Sequence, residues 1–257
     1  MQKVTAKKGL GQHFLSDKNI ARKIVNSLVD TNFKTLIEIG PGTGVLTKLL
    51  LEKHYPNFVA IDLDKESIEF LNINFPLDRE KFIHSDFLEY PLEKLEKPVA
   101  LIGNLPYFIS SQIFFRVLEY RDTVSQMVCM IQKEVAERIA SRPGSKVYGI
   151  LSVLLQAYFN IEYLFTVNEN CFIPPPKVKS AVIRLMRNWG KDLNCSHSLF
   201  HRIVKAGFNQ RRKTIRNSLK GVFLNLPDGS ELLTKRPEQL TVEQFAELTR
   251  NIESLNL

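Results

Sequence analysis

From Thr35 to Met186, short apolar runs of strand length alternate with stretches whose apolar residues recur at helical spacing. This alternation restricts the fold more than any other feature. Strands separated by helices run parallel, and such a sheet needs helices over both faces. Residues 35–39, 58–62, 82–84, 99–102 and 124–131 read as strands, with helices at 45–53, 65–74 and 110–118. Helical patterns at 134–140 and 151–159 and one more strand at 181–186 complete the series. From Asn188 onward only helical patterns follow, at 199–207, 212–222 and 242–251. The expected organisation is an α/β domain over residues 1–187 and a small helical domain over 188–257. Upstream, Asp17 is placed to cap a helix whose Ile20, Ile24, Val25 and Leu28 share one face.

The ends of the expected strands carry the chemistry. The first runs into Glu38-Ile39-Gly40-Pro41-Gly42-Thr43-Gly44, glycines that let the backbone turn tightly and approach a ligand beside a helix N-terminus. The spacing is G-x-G-x-G, with Val45 where a dinucleotide fingerprint has its third glycine, and no G-K-[ST] follows. The second strand ends at Asp62, 22 residues after Gly40, where a carboxylate can accept both hydroxyls of a ribose. The third ends at Asp86 and the fourth at Asn104. Each alone is an ordinary turn former or helix cap. Four in succession at the carboxyl edge of a parallel sheet mark a ligand site.

Asn104-Leu105-Pro106-Tyr107 is the reactive element. The exocyclic amine of adenine is a poor nucleophile because its lone pair is delocalised into the ring. An Asn amide oxygen and a backbone carbonyl can hold the two amine hydrogens and favour a tetrahedral nitrogen, and proline fixes the turn that aims them. The Tyr ring offers a flipped-out base a face to stack on.

Charge is unevenly placed. The chain carries 35 Lys and Arg against 27 Asp and Glu, a net +8. Residues 1–23 hold six basic residues and one acidic, and residues 187–257 hold twelve and seven. Between Arg202 and Lys220 there are seven basic residues and no acidic one. A near-neutral body with two basic ends suits a polyanionic partner such as nucleic acid. No apolar run approaches the ~18 residues of a membrane span, and the basic start has no apolar segment behind it, so neither a membrane anchor nor a secretory signal is expected. Cys129, Cys171 and Cys195 form no C-x-x-C pair and no disulfide framework, as expected of a cytoplasmic protein. His197 and His201 would share a helix face near Cys195, but a structural metal needs a fourth ligand, so no metal is expected.

Gly11-Gln12-His13-Phe14-Leu15, residues 38–44 and 104–107, Gln132-Lys133-Glu134, Tyr148-Gly149, and residues 172–180 and 208–219 together resemble the KsgA-type small-subunit rRNA adenine dimethyltransferases. The resemblance runs in order from Lys8 to at least Leu219. It implies a Rossmann-like class I S-adenosylmethionine-dependent methyltransferase domain followed by a small helical RNA-binding domain. It also implies dimethylation of N6 on two adjacent adenosines in the 3′-terminal hairpin of 16S rRNA, within the 30S subunit or its precursor, and a role in small-subunit biogenesis. S-adenosylmethionine would be the methyl donor, with no metal and no membrane partner, and the protein would act as a monomer.

Carried over by position, the family's cofactor contacts fall on His13, Leu15, Gly40, Asp62, Asp86 and Asn104. Asp62 would hold the ribose, Asp86 the cofactor's adenine, and Asn104 would face the reactive centre. The family often has Asn where this chain has His13, and commonly Glu where it has Asp62. Residues 172–180 match a second signature, in which Phe172 would form the wall opposite Tyr107 in a base sandwich, giving Asn104, Tyr107 and Phe172 as the catalytic set. Arg211, Arg212, Lys213 and Arg216 would grip RNA phosphates, with Arg212 and Arg216 on one helix face. Two alternatives remain from sequence: an Erm-type 23S rRNA dimethylase, whose C-terminal domain lacks the Phe-Asn-Gln-Arg-Arg-Lys run, and an RNA-binding assembly factor whose docking outweighs its methylation.

Overall fold

The computed structural model describes residues 4–7, 9, 11–30 and 32–255; Lys8, where the resemblance begins, lies outside them. The chain divides into two compact units, one of residues 1–136 and 161–187, the other of residues 137–160 and 188–257. Residues 137–160, expected in the α/β domain, belong to the helical unit.

The first unit opens with β1 (Phe14–Leu15), α1 (Lys18–Asn26), β2 (Thr35–Ile39), α2 (Val45–Glu52), β3 (Phe58–Asp62) and α3 (Lys65–Asn74). β4 (Phe82–His84), β5 (Val99–Asn104), α4 (Ser110–Glu119) and β6 (Val124–Gln132) follow, and α5 (Lys133–Ala140) leads out of the unit. α6 (Ile150–Gln156) precedes β7 (Phe159–Val167), β8 (Phe172–Ile173) and β9 (Ser180–Arg187). A seven-stranded sheet runs in the order β4-β3-β2-β5-β6-β9-β7. Strands β2 to β6 pair in parallel, and β9 runs antiparallel to β6, so the sheet is mixed rather than wholly parallel. β7 replaces the end of the helix expected at 151–159. Its apolar residues at 159, 161, 163, 165 and 167 alternate as a strand's do, but no turn residue separates them from the helical run before.

β2 is buried at all five positions and β5 and β6 at all but their last, which requires cover on both faces of the sheet. Asp17 caps α1 by accepting from the N–H groups of Asn19 and Ile20. Ala21, Ile24 and Val25 of that helix and Leu46 and Leu50 of α2 join Leu36, Ala60, Ala100 and Ile102 of the sheet in one apolar cluster. Burying each Leu or Ile side chain there contributes about 1.5–3 kcal/mol.

In the second unit, α7 (His197–Asn209) and α9 (Val242–Leu255) pack with α6, and α8 (Ile215–Leu219) packs on α7. This packing accounts for the placement of residues 137–160, because five consecutive residues of α6, Leu151–Leu155, are buried. Among the described residues no helix is long and apolar enough to cross a membrane.

The carboxyl ends of β2 and β5 touch at Gly103, where an added Cβ would sit 2.4 Å from the Ile39 carbonyl oxygen. That oxygen belongs to a sheet backbone and cannot yield. Gly103→Ala should therefore cost about 1–3 kcal/mol by overpacking. Urea unfolding should show a lower midpoint with an unchanged m value.

Candidate active site

β2 and its neighbours β3 and β5 present their carboxyl ends side by side, where connections leave the sheet in opposite directions and a crevice opens. Gly40, Asp62, Asp86 and Asn104 all line this cavity, together with His13 from the arm. Ile39, Ile61, Leu63 and Phe87 add apolar wall. A second cavity lies beside it, lined by Tyr107, Gln132 and the Pro174–Val178 segment. Gly11, Gln12, His13 and Tyr107 line both, so they form the partition between the two.

At the sheet end, Asp62 Oδ2 accepts from the Gly42 N–H at 3.1 Å and Oδ1 from the Asp64 N–H at 2.9 Å. Burial pushes its carboxyl up to about 6, against the lowering effect of those two N–H groups. The carboxylate is thus charged at neutral pH and ties the glycine turn to β3. Gly42 has φ +53, and an added Cβ would lie 2.8 Å from the Phe14 ring, so only glycine lets the arm pack against this turn. Asp86 Oδ1 accepts from the Leu88 N–H at 2.8 Å, holding the turn after β4.

Behind the turn, Glu38 is 1% exposed and accepts from the Thr47 hydroxyl at 2.7 Å. Burial, with a smaller effect from the Asp62 charge, pushes its carboxyl up to about 8.

At the other end of the cavity, Asn104 Nδ2 donates to the His13 carbonyl at 2.9 Å. His13 Nδ1–H in turn donates to the Pro174 carbonyl at 2.9 Å. The imidazole stacks on Tyr107 with centroids 5.6 Å apart and planes 28° apart. The Tyr107 hydroxyl shares a hydrogen bond of 2.5 Å with Ser180 Oγ at the start of β9. Burial raises the pKa of this phenol. Asn104 and Tyr107 are therefore both fixed in orientation, one by the arm and one by β9.

Five of the six expected cofactor residues meet in one cavity, and Leu15 does not. It is 5% exposed, belongs to the apolar core, and pairs with Phe172 in the two-stranded β1–β8 ribbon. Phe172 is also corrected as a base-stacking wall: it is 2% exposed and packed in the same core, because β8 turns alternate side chains inward and outward. The residues sharing the second cavity with Tyr107 are instead Pro174, Pro175, Pro176 and Val178. Sequence reasoning passed over Asp64, Ser180, Lys7 and Gln12. Gln12 stands within the arm motif and Asp64 two residues after Asp62, but neither residue type in that place points by itself to a contact between arm and sheet.

In the second unit the basic run is not one helix. α8 covers only Ile215–Leu219, with Thr214 at its N-cap, so Arg212 lies in the preceding turn and does not share a helix face with Arg216. Arg211 is held internally, its Nη2 donating to the Ser145 carbonyl at 3.3 Å and its Nε 3.8 Å from Glu238. Arg212 and Lys213 are exposed, Arg216 is half-buried, and none has an ion-pair partner among the described residues. His197 is engaged with the Tyr158 hydroxyl at 2.9 Å.

A glycine turn after β2, carboxylates ending β3 and following β4, and an Asn-Leu-Pro-Tyr turn after β5 define a class I methyltransferase. The model of the ribosomal RNA adenine dimethylase family matches residues 3–252, and the chain belongs to that family. It is 53% identical over 259 residues to ribosomal RNA small subunit methyltransferase A of Flavobacterium johnsoniae, covering 99% of this chain and 98% of that protein. It is 54% identical over 254 residues to the Parabacteroides distasonis protein of the same name, covering 97% and 94%. Among solved structures, a dimethyladenosine transferase from Plasmodium falciparum matches with a TM-score of 0.79 at 22% identity, covering 95% of this chain and 99% of that one. The 23S rRNA methyltransferase ErmE matches with a TM-score of 0.67 at 24% identity, covering 92% and 99%. At these identities the structural likeness is one of fold.

The buried Glu38 gives a measurable pH dependence. The native state keeps its proton to about pH 8, while an ordinary Glu releases it near 4.5. Between those values the native state binds more protons than the unfolded one, so stability falls as pH rises. The slope approaches about 1.4 kcal/mol per pH unit for one proton. Glu38→Gln keeps an acceptor for Thr47 and has no proton to lose. Its unfolding free energy should be flatter than wild type between about pH 5 and 7.5.

Proposed function

We infer that this protein dimethylates N6 of two adjacent adenosines in the 3′-terminal hairpin of 16S rRNA, in the 30S subunit or its precursor, using S-adenosylmethionine. The observation that carries the reading is the Asn104 amide, pinned by its Nδ2 to the His13 carbonyl at the partition between two cavities. The first cavity fits the methyl donor by its donor set: a charged Asp62 for a ribose diol, Asp86 for an adenine, and apolar walls between them. When bound there, S-adenosylmethionine supplies an electrophilic methyl group on a sulfonium.

The chain's own residues do the rest by positioning. With Nδ2 committed to His13, Asn104 Oδ1 is the acceptor left for an adenine N6–H. A backbone carbonyl of the same turn takes the second hydrogen, and the nitrogen lone pair is freed for in-line attack. Tyr107, its hydroxyl anchored on Ser180, offers its ring to the flipped base, with Pro174–Pro176 across the second cavity. The proton leaves late, to solvent. No step calls for a metal.

The small-subunit target is favoured over 23S rRNA by the names of relatives more than half identical to this chain. Arg212, Lys213 and Arg216 supply the phosphate contacts of an RNA-binding second unit. We place the protein in the cytoplasm, acting as a monomer in small-subunit biogenesis.

Methyl transfer from labelled S-adenosylmethionine to 30S particles, with 50S particles as control, tests the function. Transfer confined to 50S would overturn it. Asn104→Ala should lower kcat by roughly 10²–10³ while 30S binding is retained. Full activity in that variant would refute the role of the amide. If 30S maturation depends on docking alone, the same variant should still support it.

Charge reversal of Arg212 and Lys213 to Glu should weaken 30S binding and leave S-adenosylmethionine affinity unchanged. Each lost phosphate contact should remove about 0.7–0.9 from the slope of log K against log salt. An unchanged slope would make the run a solvated surface only.

A further inference from the structure

The arm contributes to the site through His13, whose carbonyl holds Asn104 and whose ring covers Tyr107. On its C-terminal side His13 is fixed by the β1–β8 ribbon and the Pro174 carbonyl. On its N-terminal side the chain closes on itself. The Lys7 N–H donates to Gln12 Oε1 at 2.9 Å, and the Gln12 N–H to the Lys7 carbonyl at 3.4 Å. This loop is held chiefly by the buried Asp64 carboxylate, with Glu66 Oε1 as a second, more exposed partner of Lys7 Nζ at 3.0 Å. Lys7 Nζ reaches Asp64 Oδ1 at 2.7 Å, and Gln12 Nε2 donates to Asp64 Oδ2 at 3.1 Å.

Asp64 is 2% exposed. It also accepts from the Glu66 N–H at 3.2 Å and the Ser67 hydroxyl at 3.1 Å, starting α3. Burial works against its charge, but the hydrogen bonds from Lys7, Gln12 and Ser67 prevail and hold its carboxyl below the usual range. Its own N–H donates to Asp62 Oδ1. One buried carboxylate thus joins the arm to the strand end that carries Asp62.

We propose that Asp64, Lys7 and Gln12 form a latch that holds the N-terminal arm over the cofactor cavity and so places the His13 carbonyl against Asn104. The proposal rests on the assignment of that cavity to S-adenosylmethionine. The three are positioning residues. With the latch intact, the arm closes one wall of the cavity and fixes the Asn104 amide. With it broken, bound cofactor exchanges faster and Asn104 loses its orientation, so both binding and turnover suffer although no group in the reacting turn has changed.

Lys7 is the clean probe, because its ammonium reaches Asp64 and Glu66 and touches nothing in the Asn104–Tyr107 turn. Lys7→Met, measured in the full chain, should weaken S-adenosylmethionine binding and lower kcat on 30S particles. Each effect should be about threefold to tenfold, between an exposed ion pair and a charge-assisted bond to a buried carboxylate. Lys7→Arg should restore both. Combined with Asp64→Asn, the two losses should not add, and any fall in the urea midpoint of Lys7→Met should be recovered in Lys7→Arg together with affinity and kcat.

Wild-type affinity and kcat in Lys7→Met would overturn the latch while leaving the methyltransferase reading intact. Loss in Asp64→Asn alone, tracking a lower urea midpoint, would assign Asp64 to capping α3 and also overturn it. A rise only in the KM for 30S particles would make Lys7 a phosphate contact instead. Failure of the wild type to bind S-adenosylmethionine would remove the functional reading beneath the proposal.

Discussion

The bond from Asn104 Nδ2 to the His13 carbonyl is the contact through which the sheet and the arm become one site. Neither partner is in place by local propensity. Asn104 is the last residue of β5, and its position follows from the parallel register of β5 with β2 and β6. His13 precedes a two-residue strand too short to persist alone, and it is placed by β1 pairing with β8 and by the Pro174 carbonyl. The amide then has one hydrogen-bonding face committed and one left over. An Asn free to flip would offer donor and acceptor alternately, whereas this one offers its oxygen.

The sheet end near the glycine turn concentrates acid at a cost in stability. Glu38, Asp62 and Asp64 lie within a few residues of one another on adjacent strands or just beyond them, and each meets the crowding differently. Glu38 keeps its proton, because burial outweighs the hydrogen bonds from the Thr47 hydroxyl and N–H. Asp62 is raised but ionised at neutral pH, held by two backbone N–H groups. Asp64 carries its charge fully, because a lysine, an amide and a hydroxyl surround it. The cavity thus keeps one carboxylate on its wall while the neighbouring one is committed to the arm.

The strand-end chemistry was legible in sequence because it obeys a topological rule: a parallel sheet sends its polar carboxyl ends to one edge, so Gly40, Asp62, Asp86 and Asn104 needed no tertiary information to be grouped. The burial of Phe172 and Leu15 was not legible from their motifs, because a motif names residues and not the side of a strand. Pairing Leu15 with Phe172 turns both inward. β7 was hidden by an apolar run without punctuation, and residues 137–160 were assigned by order along the chain although their packing partners lie after residue 188. The Asp64 cluster was illegible for a plainer reason: an Asp at the start of a helix already has a sufficient local explanation.

Excess charge in the second unit is likewise less uniform than its count suggests. Arg211 satisfies the Ser145 carbonyl and lies near Glu238, Arg250 donates to the Leu193 carbonyl at 2.7 Å, and Arg202 stacks over Phe223 at 5.2 Å. These cations hold the unit's own backbone and aromatic groups together, and their stems add packing. Such a role removes a cation from the surface field only in part, since a carbonyl carries no net charge to cancel it. Arg212 and Lys213 follow Arg211 in the turn before α8, with their charges uncompensated among the described residues. Within that turn one arginine, Arg211, is committed to the unit itself, while Arg212 and Lys213 face solvent. The exposed charge of the unit is therefore carried by fewer cations than its composition counts.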